Sequence, residues 1–195
     1  MAVDPYQSSM SVEEYLVLDS TSSDGRYEFI DGAVTLLAGG TVNHSRISIT
    51  LLVLLDRALP GRPYMVYNSD MRVSISATRY LYPDVSISCD PRDQEHGESD
   101  TVRYPSVIIE VLSPSTETYD RSKKFDYYRS SPTLQEYVLV DTQQRAVDLY
   151  RRQTENLWTF HPFRQGDEIE LKSSGFRIPL ASVYENIVFT EDQPD

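Results

Sequence analysis

Residues 105 to 128, PSVIIEVLSPSTETYDRSKKFDYY, restrict what this chain can fold into more than any other stretch. Val107, Ile108, Ile109, Val111 and Leu112 form an almost continuous apolar run, the pattern of a strand covered on both faces. Glu110 interrupts the run, and an ionised carboxylate there is costly to bury unless it is paired, hydrogen-bonded or bound to a cation. The SPST segment that follows has the composition of a turn and helix start, and a helix is predicted from Asp120 to about Ser130. Asp120, Lys124 and Tyr128 are spaced i, i+4, i+8 and therefore share one face of that helix. An acid, an ammonium and a phenol thus line up beside the end of the strand that bears Glu110.

A chain of 195 residues with 39% apolar composition can bury one sizeable core, so one domain spanning 1–195 is expected, its body at roughly 11–187. A single cysteine, Cys89, excludes an internal disulfide and any multi-cysteine zinc site. The N-terminal MAVDPYQSSMSVEEYL has neither a basic start nor an apolar h-region, and no apolar run nears the roughly 18 residues of a membrane helix. A soluble, cytoplasmic protein is expected. The net charge of -12 opposes indiscriminate binding to nucleic acid or anionic membrane, which is largely a counterion-release effect. A metal-using enzyme nevertheless concentrates carboxylates at its site, and residues 120–129 carry four basic side chains, Arg121, Lys123, Lys124 and Arg129, against Asp120 and Asp126.

Ser11 precedes Glu14 by three, a capping-box spacing that predicts a short helix over 11–19, packed through Val12, Tyr15 and Leu16. RYEFIDGAVTLLA reads as a hairpin, Tyr27 to Ile30 and Ala33 to Leu37, turned at Asp31-Gly32. By alternation alone Glu28 faces solvent. From Val42 to about Leu59 the period becomes helical, with His44 in the first turn and a broad apolar stripe that predicts a largely buried helix stopped by Pro60-Gly61. Two long strands are predicted next, Met65 to Ser76 and Tyr80 to Ser88, with Asp84, Ser86 and Ser88 on one face of the second. Pro83 has no N–H to give a ladder, so a sheet edge, strand start or bulge is expected there, a setting that can aim Asp84 at a site. Residues 90–103 read as a mobile acidic loop; its His96 is expected in solvent, and Asp93, Glu95 and Asp100 follow no ligand spacing. Glu136 to Asp141 reads as a second buried strand. A meander follows over 147–152, 157–163 and 168–171, and then a closing helix or turn over 179–185. Phosphate-cradling glycine loops, HExxH and GxSxG are absent.

The order from residue 42 is helix, strand, strand, strand, helix, strand, a mixed α/β arrangement with acids on its second and third strands. Two carboxylates on neighbouring strands can hold a hard divalent cation, and a nearby lysine can orient or deprotonate water or stabilise a pentavalent transition state. YPD at 82–84, IIEVLSPST at 108–116, DRSKKFDYY at 120–128 and EYVLVD at 136–141, with YEFIDG at 27–32 and His44, resemble the Uma2 family of the PD-(D/E)XK nuclease superfamily. The resemblance implies a restriction-endonuclease-like core with an N-terminal hairpin and a C-terminal β meander. It also implies an Mg²⁺- or Mn²⁺-dependent endonuclease acting on DNA, with Asp84 and Glu110 as catalytic residues and metal ligands. Leu112 stands where the superfamily motif has its lysine, and Lys124, or less fittingly Lys123, takes that role from the helix. Glu28 matches a family acid that completes the site, and Asp120, Tyr128 and His44 are supporting residues. Cutting both strands of a duplex needs two sites or two sequential events, so a homodimer fits.

Two other readings stand beside this one. The displaced lysine and the acidic total charge fit a non-catalytic interaction protein that keeps the nuclease fold. An acid/base pair working without metal, Glu110 with a second carboxylate, is the third. Taken alone, Asp120 with Lys124 is an ordinary solvated helical ion pair contributing a few tenths of a kcal/mol, about 0.2–0.5.

Overall fold

The computed structural model describes residues 9–23, 25–58, 63–94 and 99–189. His96, Glu95 and the Pro60-Gly61 stop lie outside them. Ser11 caps helix α1 (Val12–Thr21) through a complete capping box with Glu14. Strands β1 (Tyr27–Ile30) and β2 (Ala33–Leu36) form the expected hairpin. Both turn residues, Asp31 (φ 50) and Gly32 (φ 96), have positive φ, which is why an Asp-Gly pair occupies the turn.

Helix α2 (Val42–Ala58) is followed by β3 (Met65–Asn68), β4 (Arg72–Ser76), β5 (Arg79–Leu81) and β6 (Val85–Ser88). Each of the two long strands expected from alternation is therefore broken in two. At the first break Asn68 and Asp70 fold the backbone on itself, Asn68 Oδ1 accepting from Asp70 N–H and Asn68 C=O from Met71 N–H. At the second break, Pro83 cannot donate to a ladder. The consequence is topological: β4 and β5 join the β1–β2 hairpin in a five-stranded sheet, while β3 and β6 enter a separate six-stranded sheet.

The remaining elements are a short helix α3 (Pro91–Gln94), β7 (Thr101–Val102), β8 (Val107–Val111), a helical stretch, β9 (Glu136–Val140), β10 (Val147–Arg152), β11 (Trp158–Phe163), β12 (Glu168–Leu171), β13 (Phe176–Pro179) and a helical turn (Leu180–Val183). The described residues of the expected mobile loop, 90–94 and 99–103, are held in place. Asp93 fastens them, accepting from Ser88 Oγ and from the N–H groups of Arg103 and Tyr104, while β7 pairs in parallel with β4. Strand β13 was not legible, because its FRIP ends in proline; it pairs with β12 through Ile169 opposite Ile178 and Leu171 opposite Phe176.

Strand β8 pairs in parallel with β9 and antiparallel with β6, and its alternation divides the core. Val107, Ile109 and Val111 pack with Ile47, Leu51 and Leu55 of α2, whereas Ile108 and Leu112 pack with Tyr128, Leu134 and Tyr137 on the other side. Glu110 has the parity of the second group and so faces the connecting helix. Only one face of α2 is buried, and Ile49 and Val53 are exposed, so the largely buried helix expected from its wide stripe is a half-buried one.

A candidate active site at the end of the central strands

The connection from β8 to β9 runs through α4 (Glu117–Tyr119), a π-helical turn (Asp120–Lys124) and α5 (Phe125–Tyr128). It starts three residues earlier than the sequence indicates and is not a plain α-helix. Phe125 fixes its position by stacking on Tyr137 and Tyr150, at centroid distances of 5.2 and 4.5 Å, and the Tyr137 hydroxyl donates to the Asp120 carbonyl at 3.0 Å. Wide turns of this kind recur at functional sites. Asp120, Lys124 and Tyr128 are all buried against the sheet, so the Asp120–Lys124 pair, which alone resembles solvated surface, is an interior one.

Lys124 Nζ lies 3.0 Å from Glu110 Oε1, 3.2 Å from Glu28 Oε1 and 3.8 Å from Asp120 Oδ1. Glu28 is therefore not the solvent-facing residue that alternation indicates, because β1 is covered on that side by the helix bearing Lys124. Its carboxylate also accepts from Tyr82 N–H at 3.2 Å. Asp84 Oδ2 accepts from Val111 N–H at 2.8 Å, and extending the β6–β8 register by one residue places Asp84 opposite Glu110. Asp84 Oδ1 lies 3.2 Å from His44 Nε2 in the first turn of α2. Thr41 Oγ1 accepts the His44 N–H, and Gly40 leaves room for the imidazole: a Cβ at residue 40 would stand 2.6 Å from Nδ1.

One ammonium and one imidazole thus face four carboxylates. Burial drives the Glu110 carboxyl well above the usual range, only partly opposed by Lys124, and burial also raises Asp120. Burial alone would lower Lys124, but Glu110, Glu28 and Asp120 outweigh it and hold the amine well above its ordinary value. The hydrogen bond to Asp84 raises His44, against the lowering effect of burial. Among the described residues, Glu110 Oε1, the Tyr128 hydroxyl and the Ser86 hydroxyl are buried without a directed hydrogen bond; the 3.0 Å contact of Lys124 with Glu110 is an ion pair lacking that alignment. Burial and the neighbouring Glu110 push the Tyr128 phenol up as well. Access is one-sided: the His44 and Asp84 side chains are 21% and 16% exposed, against 8% and 4% for Lys124 and Glu110.

Surplus carboxylate charge, hard oxygen donors and a Glu110 oxygen held by the Lys124 ion pair without a directed hydrogen bond suit a divalent cation. Among the described residues no three acids, histidines or cysteines are already gathered at ligand geometry, since Lys124 sits between the acids. Two surface grooves, of about 410 and 400 Å³, lie elsewhere and include none of these side chains. Tyr82 and Val111 serve the site through backbone N–H groups, so no side-chain pattern could have revealed them.

An α-β-β-β-α-β core, here α2-β3-β6-β8-crossover helix-β9, is of the restriction-endonuclease-like class, and in this chain the lysine near the strand-end acids comes from the crossover helix. Residues 12–181 match the family Uma2, described as "Putative restriction endonuclease", and the chain belongs to that family. Among its relatives are two proteins of Synechocystis sp. (strain ATCC 27184 / PCC 6803 / Kazusa). "Uncharacterized protein slr1290" is 38% identical over 92% of this chain and 94% of its own length, and "Uncharacterized protein sll1609" is 32% identical over 87% and 95%. A crystal structure of "a putative nuclease belonging to DUF820" from Anabaena variabilis ATCC 29413 shares the fold with a TM-score of 0.77 and 18% identity, over 92% of this chain and 99% of that one.

Proposed function

We propose that this protein is a divalent-metal-dependent endonuclease that hydrolyses phosphodiester bonds in DNA. The observation that carries the reading is the buried Lys124 ammonium among Glu28, Glu110 and Asp120, with Asp84 at the open end of the same cluster. Asp84 and Glu110 would hold Mg²⁺ or Mn²⁺, which when bound neutralises phosphate charge and lowers the pKa of water. Lys124, kept protonated by its three acids, stabilises the charge that builds up on the phosphate, which is a better fit than general-base work. Glu28 and Asp120 hold that ammonium in place, and Val111 N–H fixes the Asp84 carboxylate. The imidazole of His44, whose protonated form its bond to Asp84 favours, can meet a phosphate oxygen at the open end.

The test is cleavage of supercoiled plasmid with Mn²⁺ or Mg²⁺. Glu110→Gln should abolish cutting while the circular dichroism spectrum stays unchanged, and full activity in that variant would overturn the assignment. One observation favours the second reading, an interaction protein retaining the fold: the ammonium already occupies the space between Glu28 and Glu110. Calorimetric titration with Mn²⁺ separates the two, because the nuclease requires a binding heat that Asp84→Asn removes.

A further inference from the structure

Asp19, in the second half of α1, has a side chain only 3% exposed. Its carboxylate accepts from Tyr27 N–H at 3.1 Å, from the Tyr82 hydroxyl at 2.6 Å and from Arg72 Nη1 at 2.5 Å. Two of these donors bracket Glu28. Tyr27 precedes it on β1, and Tyr82 is the residue whose N–H binds Glu28 Oε1. Asp19 therefore grips both chain segments that determine where the Glu28 carboxylate stands relative to Lys124, 3.2 Å away.

Arg72 anchors this grip in the five-stranded sheet. Its Nε and Nη2 donate to Thr101 Oγ1 at 3.1 and 3.0 Å, Nη2 pairs with Asp100 at 2.9 Å, and the guanidinium lies over the rings of Tyr15 and Tyr80 at 5.8 and 5.7 Å. Helix α1 otherwise contributes one fully buried apolar side chain, Tyr15, to a small cluster with Phe29 and Tyr80. For stability alone, apolar side chains would hold α1 as well as a buried ion pair does, since desolvation offsets most of the attraction. What apolar packing cannot supply is a directed set of acceptors at one point in space. We propose that Asp19 is a positioning residue, which with Arg72 and Tyr82 fixes the Glu28 carboxylate against the Lys124 ammonium.

The role rests on the nuclease reading only for its catalytic consequence, so the experiment has two arms. In the first, without DNA or metal, the Lys124 side-chain resonances are followed by NMR in Asp19→Asn, Tyr82→Phe, Glu28→Gln and the double variant Asp19→Asn/Glu28→Gln. Asp19→Asn and Tyr82→Phe should move the Lys124 signals in the same direction as Glu28→Gln, and Asp19→Asn should add nothing once Glu28 is replaced. In the second arm, metal-dependent cleavage by Asp19→Asn should fall about tenfold in kcat with KM unchanged, again with no further loss in the Glu28→Gln background. Lys124 signals that stay fixed in both single variants while the melting temperature drops, or effects that add in the double variant, would reduce Asp19 to a structural contact and overturn the proposal. Tyr82→Phe, which removes one hydroxyl, keeps the test decisive if Asp19→Asn fails to fold. Absence of cleavage by the wild-type protein would count against the nuclease reading, and the NMR arm would still decide the role of Asp19.

Discussion

Glu110 is the residue with the most at stake, since it is 3% exposed and one oxygen lacks a directed hydrogen bond. Its folded pKa lies above the unfolded one because burial favours the neutral carboxyl, so its contribution to stability is complete below about pH 4.3 and is lost as pH rises through the folded value. Removing one partner of the Lys124 ion pair costs stability at every pH, and on top of that the melting-temperature difference between metal-free Glu110→Gln and wild type should move in the variant's favour as pH rises from about 4 toward neutral. Mn²⁺ should raise the melting temperature of wild type and leave that of the variant unchanged; differential scanning calorimetry across pH and metal reads both. His44 is also raised, by its bond to Asp84, so the stability it contributes is complete below about pH 6.5 and fades as pH rises through its folded value. His44→Asn should cost more near pH 5.5 than at alkaline pH, and a pH-independent loss of melting temperature would contradict this. Asp84 and Glu110 stood out in the sequence because each breaks an apolar or proline-marked strand. Asp19 did not, since an acid near the end of a short surface helix has no local signal of burial.

Among the elements, the crossover helix carries Asp120, Lys124 and Tyr128 of the candidate site, and its π-helical turn is the part the sequence did not reveal. Spacing of i, i+4, i+8 places Asp120, Lys124 and Tyr128 on one face in both an α-helical and a π-helical winding, so the shared face was legible and the winding was not. Deleting the exposed Ser122 should restore α-helical hydrogen bonding and shift Asp120 relative to Lys124 both around and along the helix axis. Helix content should be kept while cleavage falls about a hundredfold, because misplacing a catalytic group by an ångström is enough for that. An unchanged rate in the deletion variant would show that the wide turn has no part in placing Lys124. The strand breaks after Asn68 and at Pro83 escaped sequence reading for a related reason: alternation reports which side of a strand is buried and is blind to the strand's passing from one sheet into the next. Asp84 profits from the second break, standing one residue before β6 with an oxygen free to take the Val111 N–H.

At the scale of the whole molecule, a net charge of -12 means that the bare protein repels DNA, and the nuclease reading makes divalent cation a condition of binding as well as of catalysis. Fluorescence anisotropy with a labelled duplex should show affinity at least about tenfold higher with Ca²⁺ or Mn²⁺ than with EDTA, and Asp84→Asn/Glu110→Gln should remove the difference. Equal affinity with and without metal would favour the interaction-protein reading. The α-β-β-β-α-β order was visible in the sequence because hydrophobic period changes cleanly from 3.6 to 2 along the chain, while the division into two sheets is set by contacts far apart in sequence, such as Arg72 with Thr101. Glu28 belongs to the five-stranded sheet, and Asp84 and Glu110 lie at the ends of strands in the six-stranded one, with Lys124 spanning the gap. The ammonium is thus a bolt between two separately folded sheets, and Lys124→Met should let them drift apart at this point without unfolding either.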